Sequence, residues 1–138
     1  MSLRDPDAFP GEGSNMSASE PAATRASALQ AAAALARYER HVRRLAATWL
    51  DMDLYQRVSE EIDAIGRACA HLPELQVAWV ALLVSHADLV HALWRTGKPS
   101  LDIDDSSQVL REHLQCIDAL ARRCLRMAGL LQSRATCD

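Results

Sequence analysis

The sequence predicts an all-α protein, an antiparallel up-down-up-down four-helix bundle with a disordered N-terminal tail. Three observations predict it. Ala, Leu and Arg are abundant in the 138 residues while aromatics make up only 4%, a composition that suits helices packed by aliphatic side chains rather than a β-sandwich. Apolar residues recur at alternating three- and four-residue steps, the period of a helix with one buried face. Polar or Pro- and Gly-containing breaks then divide that pattern into four segments.

Residues 1–20 combine Pro6, Pro10, Gly11, Gly13 and several serines with no apolar period, so burial cannot offset their ordering entropy and a disordered tail is expected. Met16 is an alternative start. The bundle domain is expected over residues 21–134, with 135–138 as a short C-terminal tail. Ser19 and Pro21 mark the helix entry, and Ala28, Ala31, Leu35, Tyr38, Val42, Leu45 and Trp49 form the first stripe. That stripe stops near Trp49, because its continuation would fall on Gln56, Ser59 and Asp63.

A second stripe, Leu54, Val58, Ile62, Ile65, Cys69 and Leu72, is rotated by roughly half a turn from the first at ~100° per residue. A chain reversal at residues 50–53 explains the rotation, with Asp51 or Asp53 as the cap; one long helix with swapped faces is the alternative. Pro73 ends the second helix. The third runs from about Glu74 to Trp94 and stops where Gly97 and Pro99 supply a left-handed cap and a block. Ser106 or Ser107 caps the fourth, whose broad face carries Leu110, His113, Leu114, Ile117, Leu120, Ala121, Cys124, Leu125, Ala128 and Leu131 as far as about Ser133. The stretch Leu75–Trp94 nearly reaches membrane-spanning length, but Gln76, Ser85, His86, Asp88 and His91 interrupt it, so it reads as a buried helix and no membrane is expected as a partner.

Charge and cysteines narrow the function classes. Fifteen basic residues against 18 acidic ones give a formal charge of -3, so no global field draws the chain to nucleic acid or anionic lipid. Lys98 is the single lysine among those basic residues, an arginine bias that GC-rich bacterial codon usage produces. The four cysteines show no CxxC spacing and three lie in apolar helical runs, which fits reduced, core-filling thiols in a cytoplasmic protein. The N-terminus carries no apolar signal-peptide core.

No motif for catalysis is present. Only Asp88 and His91 place an acidic residue three before a histidine, where a carboxylate-bridged di-iron bundle needs that pair on two helices. No histidine has Glu, Asp or His four residues later, so a hemerythrin-like pattern is missing too. The acidic run at 102–105 lacks the glycine and distal glutamate of an EF-hand.

Two classes of function remain. The first is a non-enzymatic interaction protein, a regulator, adaptor or chaperone-like bundle, because the third helix carries a second apolar strip of Val77, Val80, Ala81 and Val84 where a peripheral helix should be polar. The polar edge beside it is Ser85, Asp88, His91 and Arg95, and the strip should be covered by a second copy or a partner helix. The second class is a ligand- or metal-binding bundle centred on His86 and His113, which point inward, with Glu61 as the nearest carboxylate and a transition metal as the cofactor. Without that metal no cofactor is expected. Arg37, Arg40, Arg43 and Arg44 form a possible patch for an anionic partner, although no aromatic platform accompanies them and nucleic acid is disfavoured.

Overall fold

A computed structural model describes the backbone of residues 4–96 and 103–131 and the side chains of residues 21–95 and 107–131. The described residues are helical apart from short breaks between elements, with no strand among them. Helix α1 spans Arg4–Ala47, α2 Met52–Cys69, α3 Gln76–Thr96 and α4 Ile103–Met127, and a short 3₁₀ turn, Pro73–Leu75, precedes α3. Helix α1 packs against α2 and α4, α3 packs against α4, and α2 touches α3 only lightly, contacts compatible with a helical bundle.

The apolar stripes account for the core. Ala28, Ala31, Leu35, Tyr38, Val42 and Leu45 of α1 are buried, and so are Val58, Ile62, Ile65 and Cys69 of α2 and Ile117, Leu120 and Cys124 of α4. Alanines at positions 28, 31 and 34 let neighbouring helices approach closely, while the leucines fill the layers between them.

The element ends follow from local chemistry. The helix breaks between the two stripes: α1 ends at Ala47, and Asp51, in an extended conformation, caps α2 by accepting a hydrogen bond from the Leu54 amide at 3.1 Å. Leu72 is held out of helical geometry by Pro73. At that junction the Gln76 side chain donates to the Cys69 carbonyl at 2.7 Å, joining the Leu72 amide at 3.0 Å, so one residue of α3 adds a second donor to a C-terminal carbonyl of α2. Trp79 lies over Gly66, where a Cβ would stand 2.8 Å from the indole, and this is a close approach between α2 and α3.

Several expectations are corrected. Helix α3 proper begins at Gln76 rather than Glu74, because Pro73–Leu75 takes the tighter 3₁₀ form. Helix α4 begins at Ile103, upstream of Ser106 and Ser107, and it ends at Met127 rather than near Ser133. Its end is a Schellman motif: Gly129 has φ 79°, the Leu130 amide reaches the Leu125 carbonyl at 2.9 Å, and the Gly129 amide reaches Arg126 at 3.0 Å. Among the described residues one helical stretch, Pro73–Arg95, is long and apolar enough to cross a membrane, yet only 22% of its most apolar window is buried. It is thus not the buried helix that its composition suggests. The cap and block at Gly97 and Pro99, and the C-terminal tail at 135–138, lie outside the described residues. The tail expected at 1–20 lies outside the described side chains, and the α1 backbone is assigned from Arg4, upstream of the expected entry at Pro21.

Loss of the α2 cap should be measurable. Asp51→Ala is expected to lower stability by about 0.5–2 kcal/mol in urea denaturation, with an unchanged m-value.

Candidate functional site

The polar centre of the bundle is built from three helices. Tyr38 comes from α1, Ser85 and His86 from α3, and His113 from α4. Tyr38 lies on the buried stripe of α1, and a buried phenol requires a partner for its hydroxyl. It has two: its Oη is 2.6 Å from His86 Nδ1 and 2.6 Å from His113 Nε2. The other nitrogen of His113, Nδ1, is 2.6 Å from Ser85 Oγ, and Ser85 Oγ in turn lies 3.0 Å from the Leu82 carbonyl oxygen. Among the described residues no buried side-chain nitrogen or oxygen lacks a partner.

Counting protons fixes the direction of this chain. The Leu82 carbonyl can only accept, so Ser85 donates to it and must then accept from His113 Nδ1–H. That leaves His113 Nε2 as an acceptor for the Tyr38 hydroxyl, and Tyr38 oxygen as the acceptor for His86 Nδ1–H. One arrangement of neutral groups therefore uses all four contacts, with both histidines as Nδ1–H tautomers and His86 Nε2 as the open end.

The same count ranks the two histidines. A proton added at His86 Nε2 leaves every inner hydrogen bond intact. A proton on His113 Nε2 forces Tyr38 to turn its own proton towards His86, and protons on both rings would aim two donors at one oxygen. Burial lowers the pKa of His113 to about 3, and the charge of His86 adds to that effect. Burial also lowers the pKa of His86, opposed by the carboxylate of Asp63. The Tyr38 phenol is pushed far above its usual range by burial, and the negative charge of Glu61 pushes the same way. At neutral pH the chain is uncharged.

The sequence-derived sites map onto this geometry unevenly. His86 and His113 do come together, with ring centroids 6.0 Å apart. Glu61 does not join them: both of its oxygens lie within 2.9 Å of His41 Nδ1, because its position on α2 faces α1, and the carboxylate that acts on His86 is Asp63 instead. Among the described residues no three His, Cys, Asp or Glu side chains gather so as to hold a metal. Ser85 is not part of the outer polar edge of α3, since it turns inward to His113.

Val77, Val80, Ala81 and Val84 are exposed, Val77 to 83%. Arg43 is engaged by Glu39 at 3.0 Å, whereas among the described residues Arg37, Arg40 and Arg44 make no ion pair. Cys69 and Cys124 are buried free thiols whose pKa values burial pushes up to about 11 and about 12, which makes them poor nucleophiles.

Tyr38 and Ser85 were the residues that spacing alone did not single out. A signal existed for each: Tyr38 is the one hydroxyl on an otherwise apolar stripe, and Ser85 sits one residue before a central histidine. No known protein family, curated protein or solved structure matches this chain.

Two outcomes test the hydrogen-bond assignment. Imidazole ¹⁵N spectra at pH 7.5 should show His86 and His113 as Nδ1–H tautomers, and an Nε2–H signal from His113 would contradict the chain direction. Both histidines have folded-state pKa values below the unfolded value near 6.5, so the unfolded chain binds more protons below that pH. Stability should be level above pH 6.5 and fall as pH drops from 6.5 towards 3, by at most about 1.4 kcal/mol per pH unit for each histidine. His113→Asn should flatten this slope in denaturant titrations across pH. Tyr38→Phe, which strips the shared hydroxyl, should cost about 1–3 kcal/mol at pH 7.5.

Proposed function

We propose that this protein is a non-enzymatic helical bundle that acts through protein–protein contact, with the outer face of α3 as its contact surface. The observation that carries this reading is the exposure of Val77, Val80, Ala81 and Val84, beside which Leu83 is also exposed. Apolar side chains gathered along one side of a helix lose free energy to water that a partner surface recovers, at roughly 25 cal/mol for each Å² covered.

The same reading takes the four helices as up-down-up-down. In support, Gln30 and Ala33 of α1 share a cleft with Ala64 and Ala68 of α2, while Arg44 shares one with Leu54 and Arg57, so residue numbers rise on one helix as they fall on the other. Helices α3 and α4 repeat the pattern: Leu75 neighbours Arg123 and Met127, and Ser85 neighbours His113. An arrangement of this kind leaves the far side of α3 without a fifth helix to cover it.

The occupant we propose is a second copy of the chain, giving a twofold homodimer through the N-terminal half of α3, since an isologous contact lets one apolar strip cover its own equivalent. Free buried thiols fit a reducing cytoplasm as the compartment. The competing reading, a metal or ligand held by His86 and His113, has less support, because the facing nitrogens of both rings already bond Tyr38.

Sedimentation velocity over a concentration series should show a dimer that Val80→Glu and Val84→Glu each convert to monomer while the helical circular dichroism is retained. A monomer at every concentration, unaltered by either substitution, would sink the homodimer.

A further inference from the structure

A second surface, remote from the apolar strip in its chemistry, carries an inference of its own. Arg37, Arg40 and Arg44 follow one another along the outer side of α1, and Arg57 and Arg67 belong to α2. Among the described residues none of the five makes an ion pair, although Arg43 and Arg122 are each matched by a carboxylate one turn away. In a chain of net charge -3, unmatched arginines gathered in one place are a local feature and not a consequence of composition.

The arginines also flank depressions. One cleft of about 410 Å³ lies between α1 and α2, with Arg37 and Arg67 beside a surface of Ala33, Ala34, Ala64 and Ala68. A second, of about 230 Å³, has Arg44 and Arg57 at its edge. The His41–Glu61 pair belongs to the same helix pair between the two. Seven residues separate Arg37 from Arg44 and ten separate Arg57 from Arg67, so at 1.5 Å per residue the two arginine pairs stand about 10–15 Å apart. Carboxylates two to three turns apart on one side of a helix have that same separation.

We propose that the α1–α2 groove binds an acidic helix of a partner protein, each arginine pair gripping one carboxylate and the alanines admitting the side chain that carries it. Arginine suits this role because its planar fork meets a carboxylate through two parallel hydrogen bonds. A nucleic-acid strand fits less well: no Phe, Tyr or Trp lines either cleft for bases to stack on, and Glu61 interrupts the positive run where a continuous phosphate backbone would pass. Asp51 and Asp53 border the second cleft and offset its charge, so the Arg37 and Arg67 cleft makes the stronger grip.

The test uses the full chain and a fluorescein-labelled, alanine-rich helical peptide bearing Glu two and three turns apart, followed by anisotropy at low salt. The wild type should bind it, binding should weaken as salt rises, and the peptide with Gln in place of Glu should not bind. Arg37→Ala with Arg67→Ala should weaken binding by about tenfold or more, Arg44→Ala with Arg57→Ala by less, and Arg43→Ala or Arg122→Ala hardly at all. Circular dichroism melts establish that each variant is folded. No binding by the wild type, equal losses in the paired-arginine controls, or undiminished binding of the Gln peptide would each overturn the proposal. So would a single-stranded oligonucleotide that binds more tightly than the acidic peptide.

Discussion

The hydroxyl of Tyr38 is the constraint on which the arrangement of α1, α3 and α4 depends. A core of Ala, Leu, Ile and Val is tolerant of sliding, because one aliphatic contact replaces another at little cost. A phenol that must accept from one histidine and donate to a second is not tolerant. Shifting any of the three helices by one turn would strand Tyr38 or an imidazole nitrogen in the core, and an unsatisfied buried polar group costs about 1–3 kcal/mol. The chain continues through Ser85 to the Leu82 carbonyl, so its far end is anchored in the backbone of α3 itself. Register is thereby specified by polar geometry inside an apolar setting.

Helix α2 stands outside that chain and is held by other means. It shares an apolar interface with α1, the His41–Glu61 pair joins the two, and Gln76 and Trp79 tie its C-terminal turn to the start of α3. Its light contact with the rest of α3 leaves His86 as the partly accessible end of the hydrogen-bonded chain, near the charge of Asp63. This asymmetry explains why two buried histidines of one network respond differently to acid: one ring can take a proton without disturbing its neighbours, and the other cannot.

Inside, every described buried polar side-chain atom is satisfied; outside, two surfaces are not. The outer face of α3 offers apolar side chains without a cover, and the α1–α2 groove offers arginines that, among the described residues, form no ion pair. Those are opposite chemistries on different helices, one matched by hydrophobic burial and the other by carboxylates. With the facing nitrogens of both histidines already bonded to Tyr38, the larger unmatched capacity lies on the exterior, which is why an interaction role is the reading proposed.

The sequence by itself determined the helices and their inward faces. The stripes from Ala28 to Trp49 and from Leu54 to Leu72 are buried as their spacing requires, since a 3.6-residue period leaves an apolar residue only one place to go. It also located the break capped by Asp51 and the exposed Val77, Val80 and Val84, because caps and excess apolar faces are properties of a single segment. The end of α4 is legible too, in Gly129, whose left-handed conformation closes the helix despite the apolar Leu130 and Leu131 beyond it. The site was a different matter. His86 and His113 were recognisable as inward, but Tyr38 resembled one more core residue, Ser85 one more surface serine, and Glu61 the natural carboxylate. Which hydroxyl meets which imidazole depends on the relative height and rotation of three helices, and no local period encodes those quantities. The pairing of Glu61 with His41, the closing of the Tyr38 chain and the placing of Arg37 and Arg67 at one cleft depend on how elements pack together, so only the tertiary structure decided them.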